Sequence, residues 1–145
     1  VYFFLYVLVK TSNPSSGELQ DQKIDDKSIY ETMGAMCEQW GSQTENNYGY
    51  SRVGAVVGAT YPEQLAEMRQ KMPHTFFLVP GYGAQGGGAN DVAGAFDKNG
   101  RGAIVNSSRA IMCAWKKEGN CPETAFAEAA RREAIRMRDD ITAYL

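Results

Sequence analysis

The chain has 145 residues, of which 43% are hydrophobic and 22% charged, as is typical of one globular domain with a sizeable core. Its 15 basic and 17 acidic residues give a formal net charge of -2, which makes no electrostatic case for a nucleic acid or an anionic membrane as partner. Three cysteines without a C-x-x-C pair and a single histidine argue against a disulfide framework and a structural zinc site. We therefore expect a cytoplasmic domain without metal, in which any anion site is local.

The first segment predicts a buried strand. Residues 2–9 are apolar and rich in aromatic and β-branched side chains. The run is too short to span a bilayer, which takes about 20 residues, and it lacks the flanks of a signal peptide. We interpret it as a strand covered on both faces. A domain rarely begins with such a strand, so we expect the chain to be the later part of something longer.

Strands and helices alternate along the rest of the chain. A polar turn at 10–17 leads into a predicted helix over about 18–40, with a break or restart at 25–28 as the alternative. Thr60 is the predicted cap of the following helix, which has Pro62 in its first turn. The later elements are strands at about 53–59, 75–79 and 103–106, and helices at about 60–71, 89–96 and 122–144.

Four successive strand–helix units predict an α/β fold with parallel strands and right-handed crossovers. Two architectures remain open, a small open sheet or the second half of an eight-unit (β/α)8 barrel. In a barrel, a phosphate site is often built by the loops after strands seven and eight. On the barrel interpretation, the strands at 75–79 and 103–106 are those two strands.

A glycine-rich loop follows the strand at 75–79. The nine residues 80–88 include five glycines, which permit positive φ and close backbone approach to an anion. Gln85 is the only long polar side chain in this loop, and its amide can donate to a phosphate oxygen. Arg109 follows the next strand and could bring its guanidinium fork to the same anion. The pair predicts one phosphate-binding site, although a flexible loop and a solvated surface arginine are the alternatives.

Polar residues also follow the first strand. Thr11, Ser12 and Asn13 lie at its carboxyl end, on the face where barrel ligands bind, but an Asx or Ser turn explains them equally well. Lys10, at the same end, is a weak candidate for a base. His74 precedes a strand and therefore lies at the opposite end, which excludes a Ser-His-Asp arrangement.

Several of these segments together resemble the orotidine 5′-phosphate decarboxylase family, in particular its longer bacterial branch. The segments are 10–17, 53–60, 79–87 and 104–109, and the resemblance extends over nearly the whole chain in family order. It implies a (β/α)8 barrel of which residues 1–145 form units five to eight as a single domain fragment. It also implies the conversion of orotidine 5′-phosphate to UMP, with no metal and no organic cofactor.

The resemblance further assigns roles to the strand-end residues. It implies that the 5′-phosphate is held by Gln85, Gly86, Gly87 and Arg109, and that the pyrimidine ring is contacted by Ser12 and Pro80. Binding energy from the non-reacting phosphate would then help to stabilise the transition state at the ring. Closure of the loop that carries Gln85 would exclude water.

The chain departs from the family at the chemistry. The family uses an alternating Lys–Asp network with an Asp-x-Lys-x-x-Asp motif, whereas the segment from Asp21 to Asp25 has the wrong spacing and falls in a predicted helix. We therefore expect no catalytic residue in this chain and no activity of the chain alone. The alternatives are a half-barrel that binds phosphate or UMP without chemistry, or a structural truncation product whose open sheet edges favour a homodimer.

Overall fold

In a computed structural model of the chain, residues 3–83, 87–119 and 122–145 are described. The strands are β1 (Leu5–Lys10), β2 (Lys23–Ile24), β3 (Lys27–Ser28), β4 (Val53–Val57), β5 (Phe77–Pro80) and β6 (Ala103–Asn106). The helices are α1 (Gly17–Gln20), α2 (Ile29–Gly41), α3 (Pro62–Lys71), α4 (Ala89–Ala93), α5 (Ser108–Met112), α6 (Ala114–Lys117) and α7 (Phe126–Thr142). Short 3-10 turns precede α1 and α7.

The main sheet has the order β1-β4-β5-β6, and every neighbouring pair is parallel. The strands β2 and β3 form a separate antiparallel pair. Consecutive strands of the main sheet lie side by side, with helical segments in the connections, which is the arrangement that short right-handed βα crossovers produce. The predicted parallel α/β fold is therefore confirmed. No helix within the described residues is both long enough and apolar enough to cross a bilayer.

The hydrophobic core lies between one face of the sheet and the helices. Val57, Phe77 and Val79 point into it and are fully buried against Leu65 and Met68 of α3. Side chains alternate between the two faces of a strand, so the residues between these point to the opposite face. The helices thus cover one face of the sheet.

The opposite face has an apolar row across all four strands. The register places Leu8 beside Val56, Val56 beside Leu78, and Leu78 beside Ile104. Leu8 is 64% exposed and Ile104 is 53% exposed. The expectation that the first strand is covered on both faces is therefore wrong, because no element within the described residues packs over this apolar row.

Of the two alternatives for residues 18–40, the continuous helix is wrong and the break with a restart at 25–28 is confirmed. The chain forms the short α1 and the β2–β3 hairpin before α2 begins at Ile29. Asp25 adopts φ 56°, a left-handed conformation that ends regular structure, and Ser28 then starts α2 with a capping box. The Ser28 N–H donates to Glu31 Oε2 at 2.8 Å. Hydrogen bonds from Lys71 and Ser28 lower the pKa of Glu31 to about 2.

The amino-terminal end of the sheet is held by a buried arginine that the sequence did not single out. Arg69 on α3 donates to the carbonyl oxygens of Gly102 at 3.1 Å and Thr75 at 2.8 Å, and also to that of Met72. It therefore ties together the turns that lead into β5 and β6. His74 lies at this end too, with Nδ1 2.6 Å from Glu38 Oε1, which agrees with its predicted position away from the ligand face.

Candidate phosphate-binding site

A small pocket of about 150 Å³ opens at the carboxyl ends of β1, β5 and β6. Parallel strands bring their carboxyl ends to one edge of the sheet, so turns that are distant in sequence meet there. Pro80 and Asn106 are register partners at the last position of β5 and β6. The pocket is lined by Ser12, Pro80, Gly81, Tyr82, Asn106, Ser107, Ser108 and Arg109.

Three of the predicted site residues meet in this pocket. Ser12, Pro80 and Arg109 come from three separate strand ends, and all of them line it. Gly87 is buried beside the pocket, where it bridges to Tyr82, but it does not line the cavity. The predicted phosphate ligands Gln85 and Gly86 lie outside the described residues.

The glycine loop is closed at its base by short backbone contacts. The Gly83 N–H donates to the Gly87 carbonyl at 2.7 Å. A side chain at Gly87 would place its Cβ 2.8 Å from the Cβ of Ala59 and 3.3 Å from backbone oxygens, so only glycine fits without a shift. Gly81 has φ 100° and Gly83 has φ 76°, conformations that glycine adopts without steric cost.

A hydrogen bond joins the two sides of the pocket. Buried Ser107 donates through Oγ to the Tyr82 carbonyl at 3.0 Å. Tyr82, 4% exposed, in turn donates through Oη to Asp140 Oδ2 of α7 at 2.5 Å. Burial and this bond to Asp140 raise the pKa of Tyr82. The Asp140 side chain is 44% exposed, so its carboxylate is solvated and at the same time bonds a buried residue of the pocket.

Asn106 is a pocket residue that the sequence analysis missed. It ends β6, it is exposed toward the pocket side, and its Oδ1 accepts a hydrogen bond from Ser108 Oγ at 3.2 Å. The signal was available, since a polar side chain at the last position of a parallel strand faces the ligand edge.

The turn after β1 is ordered by its own polar side chains. Thr11 donates through Oγ1 to Asn13 Oδ1 at 2.6 Å, which agrees with the alternative of a local turn. Thr60 does not cap α3, which begins after Tyr61, and instead donates to the Ser12 carbonyl at 3.2 Å. Ser12 is thus held at the rim of the pocket by the turn after β4, so the turn is both locally bonded and part of the site.

Lys10, the candidate base, does not line the pocket. It is fully buried toward the helices, where Nζ lies 2.7 Å from Asp21 Oδ1. The ammonium also lies 5.5 Å from the ring centre of Tyr30 and 4.7 Å from that of Tyr61. This charge is therefore neutralised by an ion pair and two aromatic faces on the helix side of the sheet.

The chemistry of the lining suits an anion. Among the described residues that line the pocket, Arg109 carries the charge, and Ser12, Ser107, Ser108 and Asn106 supply hydroxyl and amide groups. Neither a lysine nor a carboxylate is in this lining. These groups can bind phosphate through charge-assisted hydrogen bonds. Without a lysine or a carboxylate, the described lining has no evident general acid or base for catalysis.

A parallel sheet of βα units with this pocket at its carboxyl edge has the layout of a phosphate-binding segment of a βα barrel. No family model matches the chain. Curated relatives do match the chain, and the two described next are both named orotidine 5′-phosphate decarboxylase. The chain is 49% identical over 140 residues to an orotidine 5′-phosphate decarboxylase of Rhodopirellula baltica, covering 94% of this chain and 46% of the relative. It is 44% identical over 138 residues to the enzyme of that name from Clostridium tetani, covering 94% and 47%.

Solved structures agree with these relatives. A putative orotidine-monophosphate decarboxylase from Toxoplasma gondii matches with a TM-score of 0.74 and 28% identity, over 96% of this chain and 50% of that one. The UMP synthase of Leishmania donovani matches with a TM-score of 0.65 and 35% identity, over 90% and 27%. The chain is thus a homologue of the orotidine 5′-phosphate decarboxylases, as the sequence motifs indicated. It spans about half the length of the curated relatives it matches.

Proposed function

We propose that this chain supplies the substrate-binding half of an orotidine 5′-phosphate decarboxylase, the carboxy-lyase that forms UMP in pyrimidine biosynthesis. The pocket then binds the phosphate of orotidine 5′-phosphate or UMP through Arg109, together with Gln85 and the backbone at Gly86 and Gly87. Ser12 and Pro80 contact the pyrimidine ring. The observation that carries this proposal is the meeting of Ser12, Pro80 and Arg109 in one pocket.

The Lys–Asp network of the family belongs, on this proposal, to the half of the relatives that the chain does not match. The lining of the pocket supports this division, since its described residues include neither lysine nor carboxylate. The apolar row at Leu8, Val56, Leu78 and Ile104 supports it too, because an exposed apolar sheet face marks a surface that another element covers. Four further βα units would cover this row as the interior of a closed barrel.

Ligand binding is tested by titrating the chain with UMP and with uridine, which lacks the phosphate. We expect Arg109→Ala to weaken UMP binding about tenfold or more, because a charge-assisted hydrogen bond to phosphate is lost, and to leave uridine unchanged. The matched control is Arg138→Ala, which removes an exposed arginine on α7 that pairs with its neighbour Asp139. UMP binding that is indifferent to Arg109→Ala contradicts the proposed site.

Catalysis is tested by complementation. We expect no release of CO2 from orotidine 5′-phosphate by the chain alone, and turnover when it is co-expressed with the amino-terminal half of the Rhodopirellula baltica relative. Turnover by the isolated chain contradicts the proposal that the catalytic network lies in the half of the relatives that this chain does not match. Failure of the mixture to turn over, with both halves folded, contradicts the assignment of the chain to this enzyme.

A binding module without chemistry is the second candidate, and the same pocket lining favours it. UMP binding by the chain together with no turnover in the complementation mixture selects it. A homodimer and a cytoplasmic location stay predictions. Within the described residues, β1 and β6 each pair with one neighbour in the main sheet, and unpaired strand edges favour association, which light scattering measures directly.

A further inference from the structure

The two sides of the phosphate pocket come from neighbouring strands, whose last residues Pro80 and Asn106 are register partners. One side is formed by residues 80–82, from the last residue of β5 onward, and the other by residues 106–109, from the last residue of β6 onward. The hydrogen bond from Ser107 Oγ to the Tyr82 carbonyl, 3.0 Å long and buried, spans the gap between them. Beyond the paired strand ends, the position of the Tyr82 backbone therefore helps to set how far apart the two turns stand.

The backbone on either side of Tyr82 has little steric restraint of its own. Gly81 and Gly83 flank it, both with positive φ, and glycine leaves a wide range of φ and ψ open. A backbone bridge to Gly87 holds Tyr82 on one side, and its side chain holds it to α7. The ring is 4% exposed, and Oη donates to Asp140 Oδ2 at 2.5 Å.

Asp140 belongs to α7, a helix that contributes no residue to the described lining of the pocket. Its carboxylate is also 3.8 Å from Arg136 Nη1, but that arginine makes its shorter contact, 2.8 Å, to Glu133. Asp140 is therefore available as a charged acceptor, and hydrogen bonds to charged acceptors are the stronger ones.

We propose that Tyr82 is a positioning residue, which sets the separation of the two sides of the phosphate pocket through its hydrogen bond to Asp140. The inference rests on the proposed function and adds that ligand affinity depends on α7, a helix that contributes no residue to the described lining of the pocket. Tyr82 acts through Ser107 and the backbone at Gly81, and its hydroxyl points away from the pocket toward α7.

The structure offers a matched control for this inference. Tyr50 is 5% exposed, and its Oη donates to Asp97 Oδ2 at 2.7 Å, so it reproduces the environment of Tyr82. It does not line the phosphate pocket. Tyr50→Phe and Tyr82→Phe thus remove the same kind of bond from equally buried rings, one away from the site and one within it.

The experiment is a titration of the full chain with UMP, with urea unfolding of each variant alongside. We expect Tyr82→Phe to weaken UMP binding about tenfold and Tyr50→Phe to leave it unchanged, while the two lower the urea midpoint by similar amounts. Asp140→Ala should match Tyr82→Phe, and combining the two should weaken binding no further. Asp140→Asn keeps an acceptor oxygen and should restore affinity to within about threefold of the wild-type value.

The outcomes separate this inference from the proposed function. UMP binding that is normal in Tyr82→Phe but weakened in Arg109→Ala overturns the role of Tyr82 and leaves the proposed function standing. Equal weakening by Tyr50→Phe and Tyr82→Phe overturns it as well, since a general loss of stability then explains both. Binding that is indifferent to Arg109→Ala overturns the proposed function and this inference together.

Discussion

The Lys10–Asp21 ion pair is expected to contribute strongly to the free energy of unfolding. Lys10 is 0% exposed, Asp21 is 43% exposed, and their charged atoms lie 2.7 Å apart. Asp21→Ala would leave the ammonium buried without its ion-pair partner, beside the faces of Tyr30 and Tyr61. Lys10→Met would instead replace the charge by an apolar chain of similar length among the same aromatic rings.

The expected change in the free energy of unfolding follows from the burial of Lys10 and Asp21. Removing one partner of a fully buried pair costs about 3–5 kcal/mol, because the remaining charge is desolvated without compensation. Asp21 is partly exposed, so water can enter the space left by its side chain, and we expect the lower end, about 3 kcal/mol. Lys10→Met removes the charge itself and should change the free energy of unfolding by less than about 1 kcal/mol, as found when buried pairs are replaced by apolar residues.

Urea unfolding, followed by the fluorescence of Trp40 and Trp115, measures both variants. With a slope of about 2 kcal/mol/M for a chain of this size, Asp21→Ala should lower the midpoint by about 1.5 M. The double variant should resemble Lys10→Met, because without the ammonium the loss of its partner has no further effect. A midpoint for Asp21→Ala within 0.2 M of the wild-type midpoint would refute this reasoning, because at this slope 0.2 M corresponds to only about 0.4 kcal/mol. A Lys10→Met variant whose urea midpoint is lowered as much as that of Asp21→Ala would also refute it.

Two further predictions concern Arg69 and Glu31. Arg69→Met should lower the free energy of unfolding by about 3 kcal/mol or more in the same urea assay, because three carbonyl acceptors at the amino-terminal end of the sheet lose their buried donor. A decrease below about 1 kcal/mol would show that water replaces the guanidinium. Glu31 has a pKa of about 2 in the fold, below the ordinary value of 4.5, so its contribution to stability is complete above about pH 4.5 and declines as the pH falls toward 2. Glu31→Gln should flatten this acid limb of the stability–pH curve, and an unchanged limb would contradict the assignment.

The order of the elements and the meeting point of the site were predictable from the sequence. Apolar runs that alternate with helical periodicity define βα units, and parallel βα units share a ligand edge. Ser12 and Arg109, far apart in sequence, are therefore predicted at one edge of the sheet, whereas Pro80 entered the predicted site only through the family resemblance. The family resemblance added the kind of ligand that this edge is proposed to bind.

The parts that could not be predicted depend on contacts that periodicity does not encode. The β2–β3 hairpin replaced a helix because the left-handed Asp25 and the cap at Ser28 outweighed the apolar spacing around them. The hydrogen bond between Tyr82 and Asp140 joins residues 58 positions apart. Partners at such distances are chosen by tertiary packing, so only the folded chain identifies them.

The apolar row across the sheet has a calorimetric consequence. Unfolding normally raises the heat capacity because apolar surface becomes hydrated, by about 12–15 cal/mol/K per residue, or about 2 kcal/mol/K for a chain of this length. Leu8 and Ile104 are already more than half hydrated in the native chain. The heat-capacity increment should therefore lie below this value, and the stability curve should be flatter with temperature than that of a closed domain of equal length.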